Sequence, residues 1–477
     1  MNIYSTLELS AKDFPDRIAV NDEYGSLTYK ELFAQTEKLR LHLLESGVAE
    51  NTGIALITKN SRYFIIGLYA GIGCNAVVMP VSPQQQPDEI RKALAEAQLH
   101  FILTDDVAHC EYGNDKSAIA LFTEPLFLSR TSREISEVTV PFVSNVAFMR
   151  FTSGTTGSAR CVILSHQAVI ERIEAANEEL KITADDNVVW VLPMAYHFIV
   201  SIVLYIRYGA GIIVCNDFLA EHLLGKIQNH RGTFLYASPM HIRLLAASTD
   251  RVHLPSLRLV VSTTTAVNPD HCKTFMEKYK LPVHQAFGII EVGLPIINML
   301  HAEQRPEAIG RALTAYEVAI LDKDHQPLPA GSSGLLSIKG PGMFDGYLSP
   351  PTLRSEVLKN GWFVTGDYAS ISVDGVIEIK GREKAMINVS GNKVFPDEVE
   401  AVINSFPGIE NSKVYGQSHA MFGEVVVADV MLKKNTALQE EELIQHCRRS
   451  LSAFKVPQRI QVVDSIEMTD SGKIKRN

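Results

Sequence analysis

The spacing of apolar and polar positions divides the chain into three stretches of different grain. From residue 28 to 104, short apolar runs alternate with amphipathic ones. Thr28 followed by Glu31 forms a capping box. It opens a helix with Leu32, Leu39 and Leu43 on one stripe, ending at Gly47. Residues 53–58 read as an apolar strand, and Asn60 and Ser61 can cap the helix that follows through Ala70. Residues 76–79 form a strand stopped by Pro80, 87–98 an amphipathic helix and 101–103 a strand. This alternation predicts an α/β layer with parallel strands. Residues 124–141 are mixed and polar and read as loop.

The middle stretch continues the pattern. Residues 146–151 are apolar apart from Arg150, 152–157 are all Thr, Ser or Gly, and 161–164 are apolar again. A helix follows over 167–180, with buried strands at 188–192, 211–215, 234–236, 257–262 and 283–287. The most apolar run, 198–214, contains Arg207, Gly209 and Gly211, so it reads as core rather than a membrane span. From about 310 the grain changes. Short strands at 316–321, 334–338 and 376–379, split by Gly and Pro, predict an antiparallel β part. Beyond Gly381 the chain is charge-rich, with a helix at 396–406, a strand at 425–432, a helix at 439–451 and a strand at 459–463. These make a small α+β domain of roughly 95 residues.

Totals refine the picture. A chain of 477 residues exceeds what one core comfortably fills, so two or more domains are expected. The net charge of −9 argues against non-specific nucleic-acid binding. Six cysteines are scattered without a C-x-x-C pair, which fits reduced thiols better than a disulfide framework or zinc site. The first residues, Met1 to Ser5, show no basic segment leading into an apolar run, so a cytoplasmic protein is expected.

The candidate chemistry begins at the loop 152–157. Its glycines allow a tight turn close to a ligand, and consecutive amides there can form an anion nest. Hydroxyls on Thr152, Ser153, Thr155 and Thr156 add donors suited to phosphate oxygens. The alternative is a flexible Ser/Gly surface loop, and no Gly-Lys-Ser/Thr ending marks a Walker loop. Four other stretches carry polar groups in informative places: Phe287-Gly288-Ile289-Ile290-Glu291, the 362–367 run ending in Asp367, residues 381–400 with Arg382, Lys384 and Ser390-Gly391, and Ser471-Gly472-Lys473. Taken singly, each has a plainer reading: turn acid, surface lysine or solvated tail.

In order and spacing, these stretches resemble the adenylate-forming superfamily of acyl- and aryl-CoA synthetases, adenylation domains and luciferases. The resemblance runs from Leu27-Thr28-Tyr29 to Arg476. It implies an α/β fold: a large N-terminal domain over 1–381, with two layered α/β sheets and a β-barrel-like part, and a small mobile C-terminal α+β domain over 382–477. It also implies attack of a carboxylate on the α-phosphate of ATP, then capture of the acyl adenylate by a thiol. Thr152, Ser153, Gly154, Thr155, Thr156 and Gly157 are then expected to grip the phosphates. Glu291 holds Mg²⁺ with Thr156, Asp367 and Arg382 meet the ribose, and Lys473 bridges carboxylate and α-phosphate. Thr263, Thr264, Phe287 and Gly288 lie by the nucleotide, Gly391 near the thiol's entry, and Lys384 at the hinge for domain alternation.

Three positions depart from the superfamily pattern. Ile290 replaces a Thr that contacts the α-phosphate, Arg160 stands in an exit usually Pro-Lys-Gly, and Thr263-Thr264-Thr265 replaces a small-residue segment beside adenine. Residues 193–201 carry no acid to pair with a substrate ammonium, which argues against an α-amino acid. His197 is either a core histidine or the gate of acyl- and aryl-CoA ligases. Tyr196, His197, Ser201, Tyr236, Ser238, Thr263, Ala286 and Ile289 are the expected pocket, suited to an apolar fatty or aromatic acid. The expected acceptor is CoA, or the phosphopantetheine of an acyl carrier protein acting in trans. No nucleic acid and no membrane span are expected. A stand-alone acyl carrier protein ligase, a non-catalytic nucleotide-binding protein and a luciferase-like oxygenase remain alternatives.

Overall fold

The computed structural model describes residues 2–121, 124–152, 160–250, 252–390, 392–419, 423–434, 436–468 and 474–475. The described residues cluster into two compact units. One holds residues up to 152, 160–317 and 339–358; the other holds 318–338 and the chain from 359 on.

The first unit is built on two nine-stranded sheets. In one, Val146–Phe151, Val77–Val81, Gly53–Ile57 and Phe101–Thr104 run parallel, as the alternating grain requires. These strands are buried on nearly every residue, because helices such as Arg62–Gly73 cover the sheet. Ser61 caps that helix through Tyr63 N, and Thr28 and Glu31 complete their capping box at Tyr29–Glu45. The other sheet has a parallel centre of Gly211–Val214, Asn187–Trp190, Phe234–Ala237, Leu259–Ser262 and His284–Ile289. Phe198 packs its ring against Phe64 at 6.2 Å and Phe148 at 4.8 Å, joining the two layers.

Two expectations need correcting. Pro80 does not stop its strand, which continues to Val81 beside Ile57. On its other side the strand pairs through Val78 with Phe148, two residues before the proline that lacks an N–H. The polar 124–141 stretch contains a strand, Pro125–Arg130, antiparallel to Phe101–Thr104. Leu126 and Leu128 alternate inward there, a period-2 signal masked by polar flanks.

In the second unit, the barrel-like part is a four-stranded antiparallel sheet in the order Glu317–Leu321, Ser333–Lys339, Phe363–Ile371, Ile377–Arg382. The C-terminal residues form a sheet on Gly423–Leu432, packed with Pro396–Asn404 and Glu440–Ser450 around Val399, Ile403, Val414, Val430 and Leu443. All six cysteines are buried and unpaired with one another. Burial pushes the Cys74, Cys161 and Cys272 thiols up to about 12. Among the described residues, no helix is long and apolar enough to cross a membrane.

Candidate active site

In the first unit, the hairpin of Val146–Phe151 and Cys161–Ser165 fixes both ends of the hydroxyl-rich loop. Thr152 N donates to the Arg160 carbonyl at 2.9 Å, and Arg160 N donates to Thr152 Oγ1 at 3.1 Å. The loop predicted to grip phosphate therefore starts and finishes at one point. Ser153, Gly154, Thr155, Thr156 and Gly157 lie outside the described residues.

Arg160 stacks its guanidinium 4.9 Å from the centre of the Tyr347 ring. An arginine plane suits this contact better than an ammonium point charge. The Tyr347 hydroxyl donates to Glu291 Oε1 at 3.2 Å, and burial pushes its pKa upward, so it stays a donor. Glu291 occupies the turn between His284–Ile289 and Gly293–Ile297. That turn is pinned by Phe344 N donating to the Glu291 carbonyl at 2.7 Å and by Arg172 Nη1 donating to the Ile290 carbonyl at 2.9 Å. A Cβ on Gly288 would lie 2.8 Å from the Gly293 carbonyl oxygen, so the position beside Phe287 has no room for a side chain.

The expected pocket residues are drawn from separate elements of this unit. Tyr236 stacks on Trp190, with ring centres 5.7 Å apart and 7° between planes, and Thr263 lies buried at the end of the strand Leu259–Ser262. Ser238 caps Pro239–Ala247, and its hydroxyl meets His241 Nδ1 at 2.7 Å. Burial lowers His241 to about 4, so the neutral ring accepts that bond. Ser201 Oγ donates to the His197 carbonyl. Tyr196 and His197 are partly buried in the turn after Pro193, whereas Ala286 and Ile289 lie on the strand leading to Glu291. Thr264 adopts φ +83°, a strained conformation for a β-branched residue.

Sequence reasoning missed the part played by Tyr347, for which the chain offers no local signal. It named Asn60 only as a candidate helix cap; Ser61 takes that place, and the Asn60 side chain instead holds Leu192 O at 2.9 Å and Met194 N at 2.7 Å on either side of Pro193. Arg150, the polar break in an apolar run, donates through Nη1 to the Tyr196 carbonyl and lies 5.3 Å from the centre of its ring.

In the second unit, Asp367 and Arg382 face each other across adjacent strands, with Nε 2.7 Å from Oδ1. Asp367 is buried, and its backbone N–H is held by Thr365 Oγ1 at 3.0 Å. Lys393 reaches the Tyr368 hydroxyl at 2.7 Å. Lys384 is exposed in the short turn Glu383–Ala385 that follows Arg382. Gly391 and Lys473 lie outside the described residues.

The family described as AMP-binding enzyme matches residues 7–348, and its C-terminal domain matches 398–473. The chain is an AMP-binding enzyme. Membership carries the reaction class of the family: AMP-forming ligation of an acid to a thiol, driven by ATP. This AMP-binding enzyme is 27% identical to an oxalate–CoA ligase of Arabidopsis thaliana, over 98% of its own length and 96% of the relative's. It is 26% identical to a feruloyl-CoA synthase of an Amycolatopsis species, over 97% and 95%. Its fold matches that of the o-succinylbenzoate CoA synthetase of Bacillus subtilis in complex with its acyl-adenylate intermediate, with a TM-score of 0.88 at 22% identity over 99% and 97% of the two chains.

The donor set of this AMP-binding enzyme also fits Mg²⁺ in one particular way. Among the described residues, no group of three or more His, Cys, Asp or Glu could cage an ion. Glu291 supplies a single carboxylate, which suits a hard ion whose remaining ligands are phosphate and water oxygens.

Proposed function

We propose that the enzyme activates a mainly apolar carboxylic acid, fatty or aromatic, as its acyl adenylate and then forms the CoA thioester. The observation that carries the substrate class is internal satisfaction of the pocket hydroxyls. Ser201 is engaged by the His197 carbonyl and Ser238 by His241. Serines whose hydroxyls are already engaged favour an acyl group that asks for no hydrogen bonds from them. The reading is supported by relatives named as CoA ligases over nearly the full chain.

In this reading the loop 152–157 grips the β- and γ-phosphates. Glu291 and Thr156 hold Mg²⁺, which offsets the negative charge that gathers on the nucleotide. Asp367, beside Arg382, accepts from the ribose hydroxyls. Thr263, Thr264, Phe287 and Gly288 border the nucleotide. His197 gates a pocket of Tyr196, Ser201, Tyr236, Ser238, Thr263, Ala286 and Ile289. Lys473 stabilises the charge shared by carboxylate and α-phosphate. The chain divides at 381/382, and Lys384 is the hinge that brings Gly391 toward the thiol's entry for the second half-reaction.

Pyrophosphate release across a panel of fatty, aromatic, dicarboxylic and amino acids tests the proposal. Release with fatty or aromatic acids, followed by AMP and acyl-CoA once CoA is added, is expected. ATP binding without release for any acid overturns it. Acyl transfer to a carrier protein but not to CoA overturns the acceptor alone.

A further inference from the structure

Arg150 is the one charged residue in the strand Val146–Phe151, directly before the predicted phosphate loop. Its side chain is partly buried, and its Nε is shielded from solvent without a hydrogen-bond partner. Nη1 donates to the Tyr196 carbonyl, and the guanidinium lies over the Tyr196 ring at 5.3 Å from its centre. Neither contact supplies a negative charge. Burial draws its pKa down to about 10, against the pull of Tyr196 and Glu291. A guanidinium has five N–H donors, and leaving a half-buried cation so sparsely paired is costly.

Two neighbours explain why such a residue is held there. Glu291 is near enough to act on Arg150 electrostatically, and Tyr196 belongs to the turn expected to border the acyl pocket. Arg150 therefore stands among the groups proposed to handle phosphate and acid. By contrast, Arg172 in the same unit is fully buried, and each of its three guanidinium nitrogens donates to a backbone carbonyl, of Gly342 or Ile290. Arg172 reads as a brace for the backbone. Arg150, with donors to spare, reads as a socket.

We propose that Arg150 is an anion-binding residue of the active site, its guanidinium taking an oxygen of a reactant's carboxylate or phosphate. The inference rests on the adenylation reading above and adds a recognition residue to it. A planar guanidinium suits either oxyanion, because both offer two oxygens to one fork.

The test uses full-length Arg150→Met and Arg150→Lys beside wild type. ATP affinity is measured calorimetrically without acid, and the KM of the acid by pyrophosphate release. Arg150→Met is expected to weaken one of these by roughly ten- to a hundredfold, the scale of a lost hydrogen bond to a charged group. A shift in the acid's KM identifies the carboxylate; a shift in ATP affinity identifies the phosphate. Arg150→Lys is expected to recover part of the loss, and carries the test alone if the Met variant does not fold. Thermal melting supplies the readout for a structural role: Arg150→Met should melt no lower than wild type, because an apolar side chain replaces a buried charge. Unchanged ATP affinity and acid KM in both variants overturn the inference. If wild type binds ATP yet releases no pyrophosphate with any acid, the adenylation reading fails instead.

Discussion

Two carboxylates, Glu291 and Asp367, are both expected to serve the nucleotide, yet they are held in opposite ways. Asp367 is fixed within its own sheet. Its partner Arg382 lies directly across one ladder, and its amide is held by Thr365, two residues back. Glu291 is fixed from afar. Its carboxylate meets Tyr347, its carbonyl meets Phe344, and the neighbouring Ile290 carbonyl meets Arg172. Tyr347 and Arg172 come from distant parts of the chain, the strand Gly346–Tyr347 and the helix His166–Leu180. A locally held acid depends on the register of its own sheet. A remotely held acid depends on the folding of a whole unit and can be loosened from several sides.

Substitutions can break this contrast. The largest effect is expected for Glu291→Gln, which keeps shape and removes charge. Adenylation should fall by a factor on the order of a hundred, with a raised Mg²⁺ requirement. A rate within threefold of wild type would remove Glu291 from the metal role. Asp367→Asn should raise the KM for ATP by roughly ten- to a hundredfold while leaving the Mg²⁺ requirement unchanged. If the Mg²⁺ requirement moves as well, the two acids do not have separate tasks.

Smaller effects sharpen it. Tyr347→Phe should cost about fivefold in adenylation, the scale of one hydrogen bond. The same change in a Glu291→Gln background should add little, because the bond it removes is already weakened; full additivity in that double-mutant cycle would show that the pair is not coupled. A last prediction reads stability rather than rate and concerns His241, which belongs to neither acid's set of contacts. Its folded pKa of about 4 lies below the ordinary 6.5, so its contribution to stability is complete above pH 6.5 and is lost as pH falls toward 4. That contribution is at most roughly 3 to 4 kcal/mol, the gap between 6.5 and 4 at about 1.36 kcal/mol per pKa unit. His241→Gln, which can still close the capping box, should flatten the fall in melting temperature across that window. An unchanged slope would place the acid sensitivity in other groups.

The same contrast explains what the sequence could reveal. Asp367 and Arg382 were named together through the family resemblance, and the structure pairs them across one ladder. The parallel strands were legible because residues buried on both faces form short apolar runs. The strand Pro125–Arg130 was not, since only Leu126, Leu128 and Ser129 are buried between polar flanks. Tyr347 carries no motif of its own. It reaches Glu291 only because Gly346–Tyr347 pairs with Cys161–Ser165, a contact that local pattern cannot encode. Arg150 left a visible trace, a charge inside an apolar strand, but its meaning depended on the Tyr196 turn folding against it.

The buried cysteines have a practical consequence. A thiol reacts as its thiolate, and burial both raises the pKa and blocks access, so all six should be slow toward maleimides at neutral pH. Fluorophores could therefore be attached at cysteines introduced at exposed sites, for instance Lys12 and Glu410, without stripping the native ones. The folded chain supplies its own silent background for watching, one molecule at a time, whether the proposed rotation about Lys384 keeps pace with turnover.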